Sequence, residues 1–229
     1  ADCKNGKLPA YTFLEPNFIL NHNDMHPSSY DSKLFGKGHV GSVLLGEKLV
    51  ADVYNAIKNS NSVEGNNAQN TLLIITFDEH GGCYDHVSPQ EATPPDLSGY
   101  TKWDDFNFDR TGVRIPTIMV SAHIAKNTVV NDPKEHTSFI NTMQEKWNKI
   151  TPAKFTALGR SASAPKFTEV FTSDRPRPIE DWPTITAPNI PKENKDIDYS
   201  SAPLNDLQLS IVHGKAAFHN ANKRDEEAE

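Results

Sequence analysis

TLLIITFDEHGGCYDHV, residues 71–87, decides how this chain is read, because an apolar run passes without a break into acids, imidazoles and glycines. Residues 71–77 carry β-branched or aromatic side chains at nearly every position and no polar alternation. That pattern suits a strand covered on both faces, as in a parallel sheet. Asp78, Glu79, His80, Gly81, Gly82, Tyr84, Asp85 and His86 follow at once. Side chains just past the carboxyl ends of parallel strands line the ligand crevice of open α/β sheets. The plainer reading is a polar turn with Gly-Gly for backbone freedom. Charge at a buried strand end must be paired or metal-bound, which favours a site.

Moving outward from this stretch, residues 59–70 (NSNSVEGNNAQN) are linker chemistry, and residues 41–60 space Val43, Leu44, Val50, Val53 and Ile57 as an amphipathic helix. Glu47, Lys48, Asp52 and Lys58 read as its solvated face. Nearer the N-terminus, residues 11–14 (YTFL) predict a strand ended by Glu15-Pro16. The following NHNDMHPSSYDS is turn-rich, yet sets His22, Asp24 and His26 two residues apart, and carboxylate and imidazole both suit a divalent metal. On the other side, residues 88–112 hold three prolines and predict an irregular loop, and VRIPTIMVSAHI (113–124) predicts a second strand with Pro116 near its start. Residues 134–150 predict a helix, with Phe139, Ile140, Met143 and Trp147 at helical spacing and His136 with Thr137 or Ser138 capping its first turn. From Thr151 onward the chain has eight prolines and no clear period, so it reads as extended wrapping or disorder, with a short closing element over residues 206–217.

Composition bounds the function. The 229 residues are ample for a buried core, and an acidic balance of 23 Lys+Arg against 30 Asp+Glu, net -7 with no basic block, excludes a sequence-independent nucleic-acid footprint. No run of about 18 apolar residues predicts an integral membrane segment, and the N-terminal ADCKNGK lacks a signal-peptide core. Cys3 and Cys83 could pair or remain thiols. Ser28, Ser29 and Ser121 are the hydroxyls near these motifs, each explained as well by a turn or a strand end.

TFDEHGGCYDHV (76–87), together with NDMHP (23–27), EHTSFI (135–140) and GVRIPTIMVSAHI (112–124), resembles the bacterial and fungal phosphoesterase family that includes non-haemolytic-type phospholipases C and an acid phosphatase. The resemblance implies an alkaline-phosphatase-like three-layer α/β/α fold, represented here in part. Residues 1–150 would form the C-terminal portion of the phosphoesterase domain, and residues 151–229 a Pro-rich, extended or partly disordered tail. It implies a phosphoric ester hydrolase acting on a phosphate ester or phospholipid with a divalent metal ion. Asp78 and Glu79 would be metal ligands, His26, His80 and His136 the catalytic imidazoles, and Asp24, Tyr84 and His86 the substrate-facing groups. The family's Glu-Asn-Arg-Ser-Phe-type motif and its Ser or Thr nucleophile have no counterpart in this sequence, so the resemblance implies an N-terminal half missing from this chain. The alternative is a non-catalytic remnant that binds a phosphorylated ligand or a partner chain.

Overall fold

The computed structural model describes residues 1–17, 23–25, 43–95, 107–156 and 159–190. Helices and a small sheet share the fold. The main elements are α1 (Val43–Lys58), β1 (Leu73–Ile75), β2 (Ile118–Val120) and α2 (His136–Ile150), followed by one short helical turn, α3 (Arg160–Ser163), and two 3₁₀ turns at Thr168–Val170 and Ile179–Asp181. The chain divides into two compact units. The first comprises Ala1–Pro16 with Gly46–Pro188, and the second Asn17–Leu45 with Asn189–Glu229.

Within the first unit, β1 and β2 pair in register Leu73↔Val120, Ile74↔Met119 and Ile75↔Ile118. The pairing is antiparallel, which corrects the parallel arrangement expected from the unbroken apolar run. Successive strand residues point to opposite faces, and here both faces are apolar for a reason independent of strand direction. Leu73 and Val120 pack against a cluster of Tyr54, Ala68, Ala122 and Trp182, while Leu72, Ile74 and Met119 pack against Ile124, Phe167 and Val170, joined by Phe139 and Met143 of α2. The apolar run therefore records burial on two sides.

Helix α1 forms where its spacing predicts and buries Ala51, Tyr54 and Ile57. Its polar face is only partly solvated. Lys48 and Asp52 pair one turn apart at 2.5 Å, but the Lys58 ammonium donates to the carbonyls of Trp182 (3.0 Å) and Pro183 (3.2 Å). Tyr54 Oη donates to Pro183 O (2.7 Å) and Asn55 Nδ2 to Ile185 O (2.9 Å). Lys58 is thus a corrected expectation: a long side chain at a helix end reaches carbonyls that an extended neighbour cannot satisfy by itself.

The strand expected over residues 11–14 does not form. Tyr11, Phe13 and Leu14 are more than half exposed, with the Tyr11 ring 5.6 Å from that of Phe139. The N-terminal segment is held by side-chain amides instead, with Asn66 accepting from Leu8 N–H (2.9 Å) and donating to Cys3 O (2.8 Å). These long-range side-chain bonds satisfy backbone groups that no strand ladder pairs.

The proline-rich chain after α2 packs closely where it is described. Phe167, Val170 and Trp182 are buried, and Arg177 donates from Nε to Ile124 O (2.7 Å) and from its backbone N–H to Ala122 O (2.8 Å). In the second unit, Asn17 and Asn23 exchange two hydrogen bonds, Asn23 N–H to Asn17 O (2.8 Å) and Asn17 N–H to Asn23 Oδ1 (2.7 Å). The closing element expected at 206–217 lies outside the described residues.

Candidate active site

The loop leaving β1 turns on two glycines. Gly81 and Gly82 both have positive φ, 62° and 76°, a conformation that costs other residues about 1–2 kcal/mol each. Gly-Gly therefore lets the chain reverse within two residues. Cys83 N–H donates to His80 O (3.0 Å), and the His80 ring Nδ1 donates back to Cys83 O (3.0 Å). Because a carbonyl only accepts, Nδ1 of His80 is the donor in this bond, and in the neutral ring Nε2 would be the acceptor.

The two carboxylates before the glycines are oriented by the backbone. Glu79 N–H donates to Asp78 Oδ1 (2.9 Å), and Gly81 N–H donates to Glu79 Oε2 (2.7 Å). Both acids are exposed, and each has one oxygen engaged by an amide.

Three cross-links fasten this loop to its surroundings. Thr76 and Thr117 share a hydroxyl hydrogen bond of 2.8 Å, His136 Nε2 donates to Phe77 O (2.9 Å), and Asp85 takes a forked pair of hydrogen bonds from Arg114, 2.5 Å from Nε and 2.8 Å from Nη2. His136 is therefore brought to the strand end from the first turn of α2. Its Nε2 is the donor in this bond, and in the neutral ring Nδ1 would be the acceptor. The helix cap is Glu135, a correction to the expectation that Thr137 or Ser138 fills that position. Ser138, three residues in and buried, instead accepts from Glu135 N–H with its hydroxyl (3.0 Å), the half of a capping box that reaches backward.

Asp85 is the most constrained acid of the loop. Its side chain is 11% exposed, accepts from Val87 N–H (3.2 Å), and lies 3.5 Å from His86 Nδ1. The Arg114 hydrogen bonds hold its carboxyl well below the usual carboxylate range, outweighing what burial would do in the other direction. His86 and Tyr84 project outward, Tyr84 at 92% exposure.

Asp78, Glu79, His80, Tyr84, Asp85, His86 and His136 thus share one strand end. Asp24 lies half-buried in the second unit, next to Met25 at φ 64°, and His26 falls outside the described residues, as do His22, Ser28 and Ser29. Ser121 is buried and accepts from His123 N–H (3.3 Å), a strand-end arrangement. Cys3 and Cys83 remain thiols. Among the described residues, no three His, Cys, Asp or Glu side chains converge as a metal-holding group. Carboxylate oxygens suit a hard divalent ion, so Asp78 and Glu79 fit such a site in kind while supplying only part of a ligand set. No helix among the described residues is long and apolar enough to cross a membrane.

Sequence reasoning missed Arg114 and Thr117. The available signal was weak: a lone basic residue before an apolar strand, facing the acid of a strand-end loop 29 positions earlier.

With this strand and its glycine-turned loop of acids and imidazoles described, comparison with known proteins gives the family. The chain belongs to the phosphoesterase family, whose model matches residues 1–149. It is 36% identical to non-specific phospholipase C6 of Arabidopsis thaliana over 95% of this chain and 40% of that protein, and 30% identical to non-specific phospholipase C3 of the same plant over 97% and 41%. Phospholipase C B of Mycobacterium tuberculosis (strain ATCC 25618 / H37Rv) is 24% identical over 84% of this chain and 36% of its own length. The chain spans about two fifths of the length of these relatives.

Proposed function

We propose that this chain carries part of the site of a phosphoric ester hydrolase of the phospholipase C type, with a phospholipid or related phosphate ester as substrate. The observation that carries the reading is the strand-end loop itself, where Asp78 and Glu79 are aimed by their own backbone and His136 is delivered from a separate helix. Family membership and the phospholipase C names of the relatives support it. Helices packed on both faces of the strand pair support an alkaline-phosphatase-like three-layer arrangement, of which residues 1–150 would form the C-terminal portion.

Ester hydrolysis must take a proton from the attacking oxygen and give one to the leaving oxygen. His80 and His136 suit such work, since each has one ring nitrogen donating to a carbonyl, which in the neutral ring leaves Nε2 and Nδ1 respectively to accept a proton. Asp78 and Glu79 would hold a divalent ion, which when bound would neutralise phosphoryl oxygens and the charge that develops on them. Tyr84 and His86, exposed on the same loop, are proposed on the substrate side. The remaining ligands and the nucleophile are proposed to come from a complementary portion of the family fold.

The test pairs the 229-residue protein with the portion of non-specific phospholipase C6 that it does not span, and presents phosphatidylcholine vesicles and a chromogenic phosphocholine ester with Mn²⁺, Zn²⁺ or Ca²⁺ added singly. Metal-dependent release of phosphocholine that falls by about 100-fold or more in Asp78→Ala is expected, in the range seen when one charge-stabilising group is removed. Release unchanged in that variant would sink the reading. Saturable phosphate binding without turnover under any of the three metals would favour a non-catalytic remnant.

A further inference from the structure

We propose that Asp85 and Arg114 are a positioning pair that sets the geometry of Asp78 and Glu79 from the far end of the loop. The inference rests on the reading above for its purpose, but its geometry stands independently. Residues 78–87 are mostly exposed, contain two consecutive left-handed glycines, and add no side chain to either apolar cluster. A segment of that kind has little burial to define its shape. Its shape must come from directional bonds at its two ends.

At the first end those bonds are Thr76–Thr117 and His136–Phe77 O. At the second end, Asp85 alone gathers three donors: Nε and Nη2 of Arg114 and the N–H of Val87. Forked guanidinium–carboxylate bonding fixes orientation as well as distance, which a single hydrogen bond or an ammonium does not. Arg114 enters from residues just before β2, and β2 is in register with β1. The pair therefore ties the loop's exit to the strand beside the one from which it departs. Between these two ends, only the turn from Asp78 to Cys83 remains to be placed, and its internal bonds then close.

This makes Asp85 and Arg114 positioning residues and not ligands, although Asp85 sits in the same acidic cluster as Asp78 and Glu79. Both Asp85 oxygens are engaged. Oδ2 accepts from Arg114 Nε, and Oδ1 accepts from Arg114 Nη2 and Val87 N–H, with His86 Nδ1 at 3.5 Å.

Amide hydrogen exchange, followed by NMR in the 229-residue protein without metal, tests the pair directly. The Glu79 and Gly81 amides, which donate to Asp78 and Glu79, should exchange at least about 10-fold faster in Arg114→Gln and in Asp85→Asn. Arg114→Lys should fall between, since it keeps the charge and loses the fork. The double variant should add little to either single change. Amides of α1 serve as the control for global folding and should stay as they are. Unchanged Glu79 and Gly81 exchange in both single variants overturns the proposal, as does acceleration shared equally by α1. Chymotryptic cleavage after the exposed Tyr84 gives a second readout and should accelerate in parallel; cleavage that does not change while Arg114→Gln remains folded also overturns it. If the protein hydrolyses phosphate esters, Arg114→Gln should raise the Mn²⁺ concentration at half-maximal rate by about 10-fold. Failure of hydrolysis in the native protein removes the enzymatic reading while exchange and cleavage still judge the pair.

Discussion

The strand-end loop at residues 78–87 and the proline-rich run at 164–185 are constructed in opposite ways. The loop is polar, exposed and held by hydrogen bonds at its ends, with none of its side chains in the apolar clusters. The run has no α-helix or strand, yet places Phe167 and Val170 in one cluster and Trp182 in the other. The difference separates two tasks that a motif search tends to merge. The loop keeps its side chains available, as the proposed chemistry requires, while cohesion comes from a segment whose sequence advertises nothing. A variant in one region should therefore leave the other's property almost untouched.

The largest contrast is expected between Asp78→Ala and Trp182→Ala. Asp78 is exposed, so its loss should change unfolding free energy by no more than about 0.5 kcal/mol while abolishing the proposed metal-dependent hydrolysis. Trp182 is 4% exposed and lies beside Tyr54 with ring centroids 5.8 Å apart. Truncating a buried aromatic side chain to Ala costs about 3–5 kcal/mol. Urea unfolding of both variants decides the matter, and equal losses would erase the division of labour.

A smaller effect belongs to the polar seam between α1 and the run. Tyr54→Phe removes the hydroxyl that donates to Pro183 O and should cost about 1 kcal/mol, the net worth of one hydrogen bond. Loss below measurement would mean that Lys58, which reaches the same carbonyl, suffices by itself.

How much of this was legible in the sequence follows the same division. The acids, imidazoles and glycines of the loop could be read because their residue types are rare together at a strand end, and α1 and α2 because their apolar spacing is periodic. The antiparallel pairing was not legible, since burial on two faces produces the same unbroken apolar run in either direction. The segment at 11–14 differs from its reading because its aromatic and β-branched residues match a strand, while Tyr11, Phe13 and Leu14 stay exposed and pair with no strand of the sheet. The packing of Phe167, Val170 and Trp182 had no period to betray it. Arg114 was invisible because a forked ion pair depends on register between two strands, which one-dimensional spacing does not contain.

Where the run joins α2 by way of α3, Arg160 donates to the Glu135 carboxylate from Nε at 2.8 Å and from Nη2, and Thr137 Oγ1 donates to the other oxygen. Burial would raise the Glu135 carboxyl, but these bonds prevail and hold it below its ordinary value of 4.5. A depressed carboxyl stabilises the fold fully above that ordinary value and loses its contribution as pH falls through the lowered one. Arg160→Ala should therefore cost about 1–3 kcal/mol near neutrality, the range for a hydrogen bond to a charged group. Its gap from the native protein should close as the pH drops below 4.5. A gap that stays constant with pH would assign the loss to packing of the Arg160 stem.

The smallest effect concerns the outer face of α2, where Glu145 meets Lys149 one turn on and Lys166 of the run, the latter at 2.5 Å. Hydrogen bonds from Lys149 and then Lys166 hold its carboxyl at about 2. Lys166→Ala should raise that titration midpoint only part of the way toward the ordinary 4.5, because Lys149 remains, and carbon NMR of the side-chain carboxyl reads the change. The sign is fixed: the pair contributes above the ordinary value and is lost as pH falls toward the lowered one. Exposed pairs of this kind add little to stability, so the measurement bears on attachment more than on energy. A midpoint that does not move would mean Lys166 leaves Glu145 in solution. The run would then be held on α2 by the Asn141 Nδ2 to Ala164 O bond (2.7 Å), by the Arg160–Glu135 pair and by its buried side chains, and its cohesion would owe still less to surface charge than the loop's does.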